Sequence, residues 1–233
     1  MKTCTFKTLL LAGIVASSLT WTSATQAQIY YTDGHGDIGI GYEGGELEPH
    51  WHLDDGEFAP GEVIAKIAAT TLSPSSSSAF LGVADGSLIY VAGSSANQPN
   101  LGFGAEELEP ADWDGPITVT LSGMDGPGHF ALYTLNLSGA VTDVLFSSFD
   151  AGETFANNSF TLLPGDHEHF TFGFTEVGHY EITLTWSGTL SGGGFRSSEA
   201  TFGFEVVPEP GTWTLLIVGL MAMVIVARKR RLA

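Results

Sequence analysis

Apolar and polar residues alternate in two segments of the chain, residues 117–121 and 180–186. Alternation with a period of two is typical of β-strands that bury one face. Clusters of Gly, Asp, Asn, Ser and Pro separate further strand-like segments, at residues 62–69, 87–92, 130–136, 141–146, 169–174 and 200–206. The pattern predicts an all-β fold over residues 28–206, a single antiparallel β-sandwich of about eight to ten strands.

The first 27 residues have the three parts of a secretory signal peptide. Lys2 and Lys7 supply a basic start, residues 9–15 are an apolar core, and residues 23–27 are mostly small and suit cleavage after Ala27. The apolar core is too short to span a bilayer comfortably. We therefore expect residues 1–27 to direct export and to be removed.

Residues 207–233 have the layout of a second terminal signal. A proline-containing motif precedes an apolar run at residues 212–227, for which we predict a transmembrane helix whose following cations stay on the cytoplasmic side. The residues of the two polar parts are Pro208, Glu209, Pro210, Arg228, Arg230 and Arg231. This order of parts resembles the PEP-CTERM sorting signal of Gram-negative bacteria. The resemblance implies processing by an exosortase and delivery to the cell surface or extracellular matrix, and a permanent single-span anchor is the alternative.

Charge is distributed unevenly along the sequence. Between residues 28 and 207 there are 25 acidic side chains and two basic ones, which gives this segment a net charge of −23. Such a surface repels nucleic acid and anionic lipid, so neither is an expected partner, and it suits a solvated extracellular protein. The only cysteine, Cys4, lies in the predicted signal peptide. We therefore expect neither disulfides nor a cysteine-based metal site in the exported domain.

All seven histidines lie between residues 28 and 206. Side chains at positions i and i+2 of a strand point to one face, so each His-x-His pair presents two imidazoles side by side. Neutral imidazole binds zinc, copper or nickel, and a carboxylate completes or orients the ligand set. We predict that the histidine pairs converge within coordinating reach and form a zinc site. Its candidate residues are His35, Asp37, His50, His52, His167 and His169.

The other aromatic and imidazole side chains near these pairs have simpler interpretations. His129 and His179 each follow a glycine and stand alone, so we expect them to be turn residues that precede strands. Trp51, between the two histidines of the first pair, is expected to pack in the core rather than to stack on a cofactor.

Several short motifs occur in an order that is similar to a known surface domain. They are GHGDI at residues 34–38, FLG at 80–82, GPGHFALY at 126–133, HEH at 167–169 and FTEVGHYEITLT at 174–185. Together they resemble the choice-of-anchor M domain, also described as an actinobacterial surface-anchored domain. With a PEP-CTERM tail, the combination resembles a subgroup linked to the zinc uptake regulator. The resemblance implies a zinc-linked surface function and an association with metal ABC transporters.

The leading hypothesis is therefore a surface-anchored or exported protein that captures or buffers zinc under zinc limitation. The alternative is a structural or interaction protein of the exopolysaccharide or biofilm matrix, in which the histidines are structural. Calcium binding by acidic loops such as residues 54–57 ranks third, because no twelve-residue EF-hand loop is present. We do not expect an enzyme, since the sequence has no His-Glu-x-x-His, Gly-x-Ser-x-Gly or phosphate-loop motif.

Overall fold

The computed structural model describes residues 28–74, 78–93, 98–149, 158–208, 219–221 and 223. Within these ranges the fold is all-β, as the alternating pattern predicts. In the described part of the chain, sixteen strands form three sheets, and three short 3₁₀ turns lie between strands. The turns are Pro60–Glu62, Ala79–Leu81 and Pro110–Asp112.

The largest sheet, which we call the long-hairpin sheet, has six strands in the order β1-β5-β16-β15-β9-β12. Their bounds are β1 Ile29–Tyr31, β5 Val63–Ile67, β9 Ile117–Asp125, β12 Ser159–Leu162, β15 Gly178–Thr189 and β16 Phe195–Val206. Strands β15 and β16 pair along their whole length in an antiparallel hairpin. Strand β5 runs parallel to both of its neighbours.

The second sheet, which we call the middle sheet, has five strands in the order β11-β10-β14-β7-β6. Their bounds are β6 Thr70–Leu72, β7 Leu88–Ala92, β10 Phe130–Leu135, β11 Val141–Ser147 and β14 Thr171–Phe174. All of its strand pairs are antiparallel.

The third sheet, which we call the histidine sheet, also has five strands, in the order β13-β8-β2-β3-β4. Their bounds are β2 Gly34–Glu43, β3 Glu46–Leu53, β4 Gly56–Phe58, β8 Pro99–Gly104 and β13 His167–His169. Strands β2 and β8 are parallel neighbours. With the two parallel pairs of β5, this makes the predicted purely antiparallel pairing wrong at three strand pairs.

The predicted strand segments coincide with strands of the long-hairpin and middle sheets. The period of two at residues 117–121 lies in β9, and that at 180–186 lies in β15. The histidine sheet, by contrast, was missed except for the overlap at His169. Its strands β2 and β8 contain glycine at several positions, and glycine weakens a strand because it has no side chain to pack.

Aromatic residues from all three sheets meet in one buried core. Trp51 of the histidine sheet is fully buried, as predicted, and its ring centroid lies 5.3 Å from that of Phe202 and 5.8 Å from that of Phe204. Phe103 stacks on Phe172 of the middle sheet at 5.8 Å. Such rings each bury roughly 150–250 Å². This packing fixes the inner face of the histidine sheet, so that the side chains of its other face point away from the core.

The two terminal segments lie largely outside the described residues. This holds for the predicted signal peptide at residues 1–27 and for most of the predicted helix at residues 212–227. Of the tail, Pro208 is exposed, and residues 219–221 and 223 are helical. In the ranges that the structure covers, there is no helix with the length and apolar character needed to cross a membrane.

Candidate metal centre

All six predicted ligand residues lie on one face of the histidine sheet. In β2, Ile38 and Ile40 point into the core, so His35 and Asp37 point to the opposite face. The strand register places His52 beside Asp37, Asp37 beside Gly102, and Gly102 beside His169. Residues that are opposite each other in register share a face. Pairing therefore brings the side chains of β2 and β3 onto the same face as those of β13, which lies more than 100 residues further along the sequence.

Glycines in β2 and β8 clear the space that the larger side chains occupy. A methyl group at Gly102 would overlap the Asp37 carboxylate and would lie 2.7 Å from the carbonyl oxygen of Glu168. A methyl group at Gly39 would lie 2.7 Å from Nε2 of His50. Real Cβ atoms do not approach other atoms so closely. The glycines that hide these strands from pattern analysis are therefore the residues that make room for the site.

The first group of ligand atoms, which we call the four-residue cluster, consists of His35, Asp37, His167 and His169. One nitrogen from each histidine lies within 4.8 Å of the others. Nε2 of His35 lies 3.0 Å from Nε2 of His169 and 3.5 Å from Oδ2 of Asp37. Zinc–nitrogen bonds of about 2.0–2.1 Å place two ligands of a tetrahedron about 3.4 Å apart. The separation of the two Nε2 atoms is shorter than that value, and the separation of Nε2 from Oδ2 of Asp37 is slightly longer.

Hydrogen bonds fix the orientation of two imidazoles in this cluster. His169 donates its Nδ1 hydrogen to the carbonyl oxygen of Leu101 at 3.1 Å, because a carbonyl can only accept. Its Nε2 is then left with a free lone pair that faces His35. His167 has Nδ1 at 2.8 Å from Oε1 of Glu106, which orients that ring in the same way. Such outer partners are typical of histidines that bind metal.

Asp37 is the buried member of the four-residue cluster, with 1% of its surface exposed. Burial raises the pKa of its carboxyl, whereas the imidazoles of His35, His169 and His167 lower that pKa. Among the described residues, its Oδ1 has no hydrogen-bond partner. Buried carboxylates normally have partners, because desolvation of a charge is costly. A cation between Asp37 and the imidazoles would compensate for that cost.

The second group of ligand atoms, which we call the His50 cluster, consists of His50, His52 and Glu107. The three ligand atoms lie within 4.8 Å of one another. Oε1 of Glu107 lies 3.0 Å from Nε2 of His50 and 3.6 Å from Nδ1 of His52. His50, whose side chain is only 11% exposed, donates its Nδ1 hydrogen to the carbonyl oxygen of Glu48 at 3.0 Å.

The structure divides the predicted ligands between two clusters instead of bringing both histidine pairs into one site. Strands β13 and β3 are separated by β8 and β2, which puts His169 and His52 three strand spacings, or about 14 Å, apart. That distance exceeds coordinating reach for a single ion. The prediction of one shared site is therefore corrected to two neighbouring groups on the same face.

Sequence reasoning missed Glu106 and Glu107, which follow the end of β8 after Ala105. Glu106 contacts His167, and Glu107 contacts His50. Nothing in their local pattern distinguishes them from other acidic residues of this acidic chain. Their contacts arise only because the histidine sheet brings β13 and β3 near the end of β8.

The two solitary histidines lie outside both clusters. His129 precedes β10 as predicted, and its ring centroid lies 5.0 Å from that of Phe149. His179 lies within β15 rather than in a turn, which corrects that prediction. Its Nδ1 is 3.4 Å from Oε2 of Glu205.

Comparison of the chain with family models, with curated proteins and with solved structures gave no match. The geometry of the site is therefore what indicates the function. The four-residue cluster offers three imidazole nitrogens and one carboxylate oxygen, and the His50 cluster offers two nitrogens and one oxygen. Both donor sets suit divalent transition-metal ions such as zinc, copper and nickel.

Proposed function

We propose that this chain is an exported, surface-anchored protein that binds a zinc ion at the four-residue cluster and captures or buffers zinc for the cell. The observation that carries the proposal is the convergence of His35, His167 and His169, with the buried carboxylate of Asp37 3.5 Å from Nε2 of His35 and its Oδ1 without a hydrogen-bond partner among the described residues. A buried carboxylate that faces three imidazoles is costly without a cation and favourable with one.

The donor set favours zinc over the other common divalent ions. Calcium and magnesium take oxygen ligands almost exclusively, whereas this cluster has three nitrogens and one oxygen. Copper(I) prefers sulfur ligands, and the only cysteine is Cys4 in the predicted signal peptide. Zinc accepts imidazole and carboxylate in tetrahedral sites. Copper(II) and nickel(II) are the ions against which selectivity has to be measured.

Capture suits this cluster better than catalysis. Catalytic zinc sites keep an open position for water, whereas four protein ligands complete a tetrahedron. The acidic surface of the domain, with a net charge of −23 between residues 28 and 207, raises the local concentration of cations. These two features together favour a protein that collects and holds zinc.

The remaining parts of the proposal concern location, partners and architecture. The signal at residues 1–27 and the tail at residues 207–233 support export, membrane anchoring through a helix and exosortase processing. A metal ABC transporter is the partner to which captured zinc would pass. We also propose that the three sheets stack as a β-sandwich around the shared aromatic core, an arrangement that the burial of Trp51 and Phe172 supports.

Calorimetry with zinc chloride tests the proposed function on the full-length chain, purified without a histidine tag. We expect one tight equivalent, which is lost when His167 and His169 are both replaced by alanine. The matched control replaces His129 and His179, two histidines outside the clusters, and should keep the tight equivalent. Absence of tight binding in the unaltered chain, or its persistence in the first variant, would reject zinc capture and leave the matrix protein as the working hypothesis.

A further inference from the structure

We infer that His50, His52 and Glu107 form a second, separate site for a divalent transition-metal ion, with one coordination position left open. The three donors converge from two parts of the chain, and Glu107 lies 57 residues from His50 in the sequence. Their ligand atoms lie within 4.8 Å of one another, in the range that a shared ion requires. This inference does not depend on zinc capture at the four-residue cluster.

The local structure prepares His50 for binding. Its Nδ1 hydrogen is donated to the carbonyl oxygen of Glu48, so Nε2 is the nitrogen left to bind an ion. Nε2 faces Oε1 of Glu107 at 3.0 Å. Gly39 and Gly41 lie beneath this contact, and a methyl group at Gly41 would lie 3.0 Å from Oε2 of Glu107. The sheet therefore leaves space for both ligands on this side as well.

The number of donors distinguishes this site from the four-residue cluster. Two imidazoles and one carboxylate leave a tetrahedral ion with a fourth position for water or an incoming ligand. The side chains of His52 and Glu107 are 43% and 34% exposed, so solvent reaches the ion directly. Because it has fewer ligands and greater exposure, an ion at this site binds more weakly and exchanges faster than an ion at the four-residue cluster.

Two consecutive residues connect the sites. Glu106 contacts His167 of the four-residue cluster, whereas Glu107 contacts both histidines of the His50 cluster. An ion at the His50 cluster is therefore bound by Glu107, the residue that follows Glu106 and its contact with His167. This arrangement suits an exchange site, where ions from solution are held beside the tighter site.

The second site is tested by titrating the full-length chain with zinc. Binding is measured by calorimetry and, separately, by dialysis with metal analysis. We expect a second equivalent whose Kd is at least about tenfold weaker than the first. His52→Ala and Glu107→Gln should each weaken the second equivalent by about tenfold or more, because loss of a direct ligand costs at least as much as loss of an outer partner. Both substitutions are at partly exposed positions, and retention of the tight equivalent shows that each variant is folded.

His179→Ala is the matched control, because His179 also lies in a strand beside a carboxylate but belongs to neither cluster. It should leave both equivalents unchanged. Replacement of His167 and His169 should remove the tight equivalent and leave the weaker one, which separates this inference from the proposed function. The inference is overturned if no zinc equivalent bound by the unaltered chain is weakened by His52→Ala or by Glu107→Gln.

Discussion

Replacement of Asp37 by asparagine should stabilise the metal-free protein and at the same time remove its response to zinc. The substitution keeps the shape of a side chain that is 1% exposed and removes its charge. Oδ1 of Asp37 has no hydrogen-bond partner among the described residues. An unpartnered buried charge costs more than the roughly 1–3 kcal/mol of an unpartnered neutral polar group, and asparagine keeps only the neutral group. We therefore expect Asp37→Asn to raise the free energy of unfolding by about 1–3 kcal/mol in the presence of a chelator.

Zinc should reverse this order. A ligand at a thousand times its Kd stabilises the folded protein by about 4.1 kcal/mol, and the variant lacks the only anionic ligand of the four-residue cluster. For a domain of this size, 1 kcal/mol corresponds to about 2–4 °C in Tm. The variant should melt about 2–12 °C above the unaltered chain in chelator and well below it in excess zinc.

Scanning calorimetry at about pH 8, where histidine side chains are generally neutral, measures both differences. Asp33→Asn is the matched control, since Asp33 is exposed just before β2, and it should change neither Tm by more than about 1–2 °C. The reasoning is refuted if Asp37→Asn melts below the unaltered chain in chelator, or if zinc raises the Tm of both proteins equally.

Three further predictions concern the space around the site, the core and alkaline pH. Gly102→Ala should abolish tight zinc binding, measured by calorimetry, because its methyl group displaces the Asp37 carboxylate, whereas Gly61→Ala, with no atom within 4 Å, should not. Trp51→Ala should lower the free energy of unfolding by about 3–5 kcal/mol in urea denaturation, because Trp51 is fully buried. Burial raises the pKa of Tyr133 from 10.0 to about 12. Stability that is present below pH 10 should therefore be lost as pH rises towards 12, and absorbance at 295 nm should show this tyrosine ionising late or only on unfolding.

The predictability of each strand depended on how its residues pack. Strand β15 was found because Tyr180, Ile182 and Leu184 alternate with polar residues, and these three side chains are buried in the core. Strands β2 and β8 were missed because their glycines occupy positions where a strand normally carries side chains. The parallel pairings of β5 were also missed, since the pattern within a strand contains no information about the direction of its neighbours.

The sequence predicted the residue types of the candidate site but not which of those residues come together in each cluster. The spacing of His167 and His169 indicated a shared face, and the structure places both in β13 on that face. Glu106 and Glu107 had no distinguishing local signal. They contact the clusters only because β8 ends between strands that carry histidines.

The sequence by itself determined the class of fold and the chemistry available to the protein. The period of two is a local property of consecutive residues, and the supply of imidazoles and carboxylates without cysteine between residues 28 and 206 follows directly from the composition. Only the tertiary structure decided which ligands meet. His35 and His169 are 134 residues apart and come within 3.0 Å because β13 and β2 both pair with β8. Strand order and register depend on packing across the whole core. They also place His50 and His52 in a different cluster from His167 and His169.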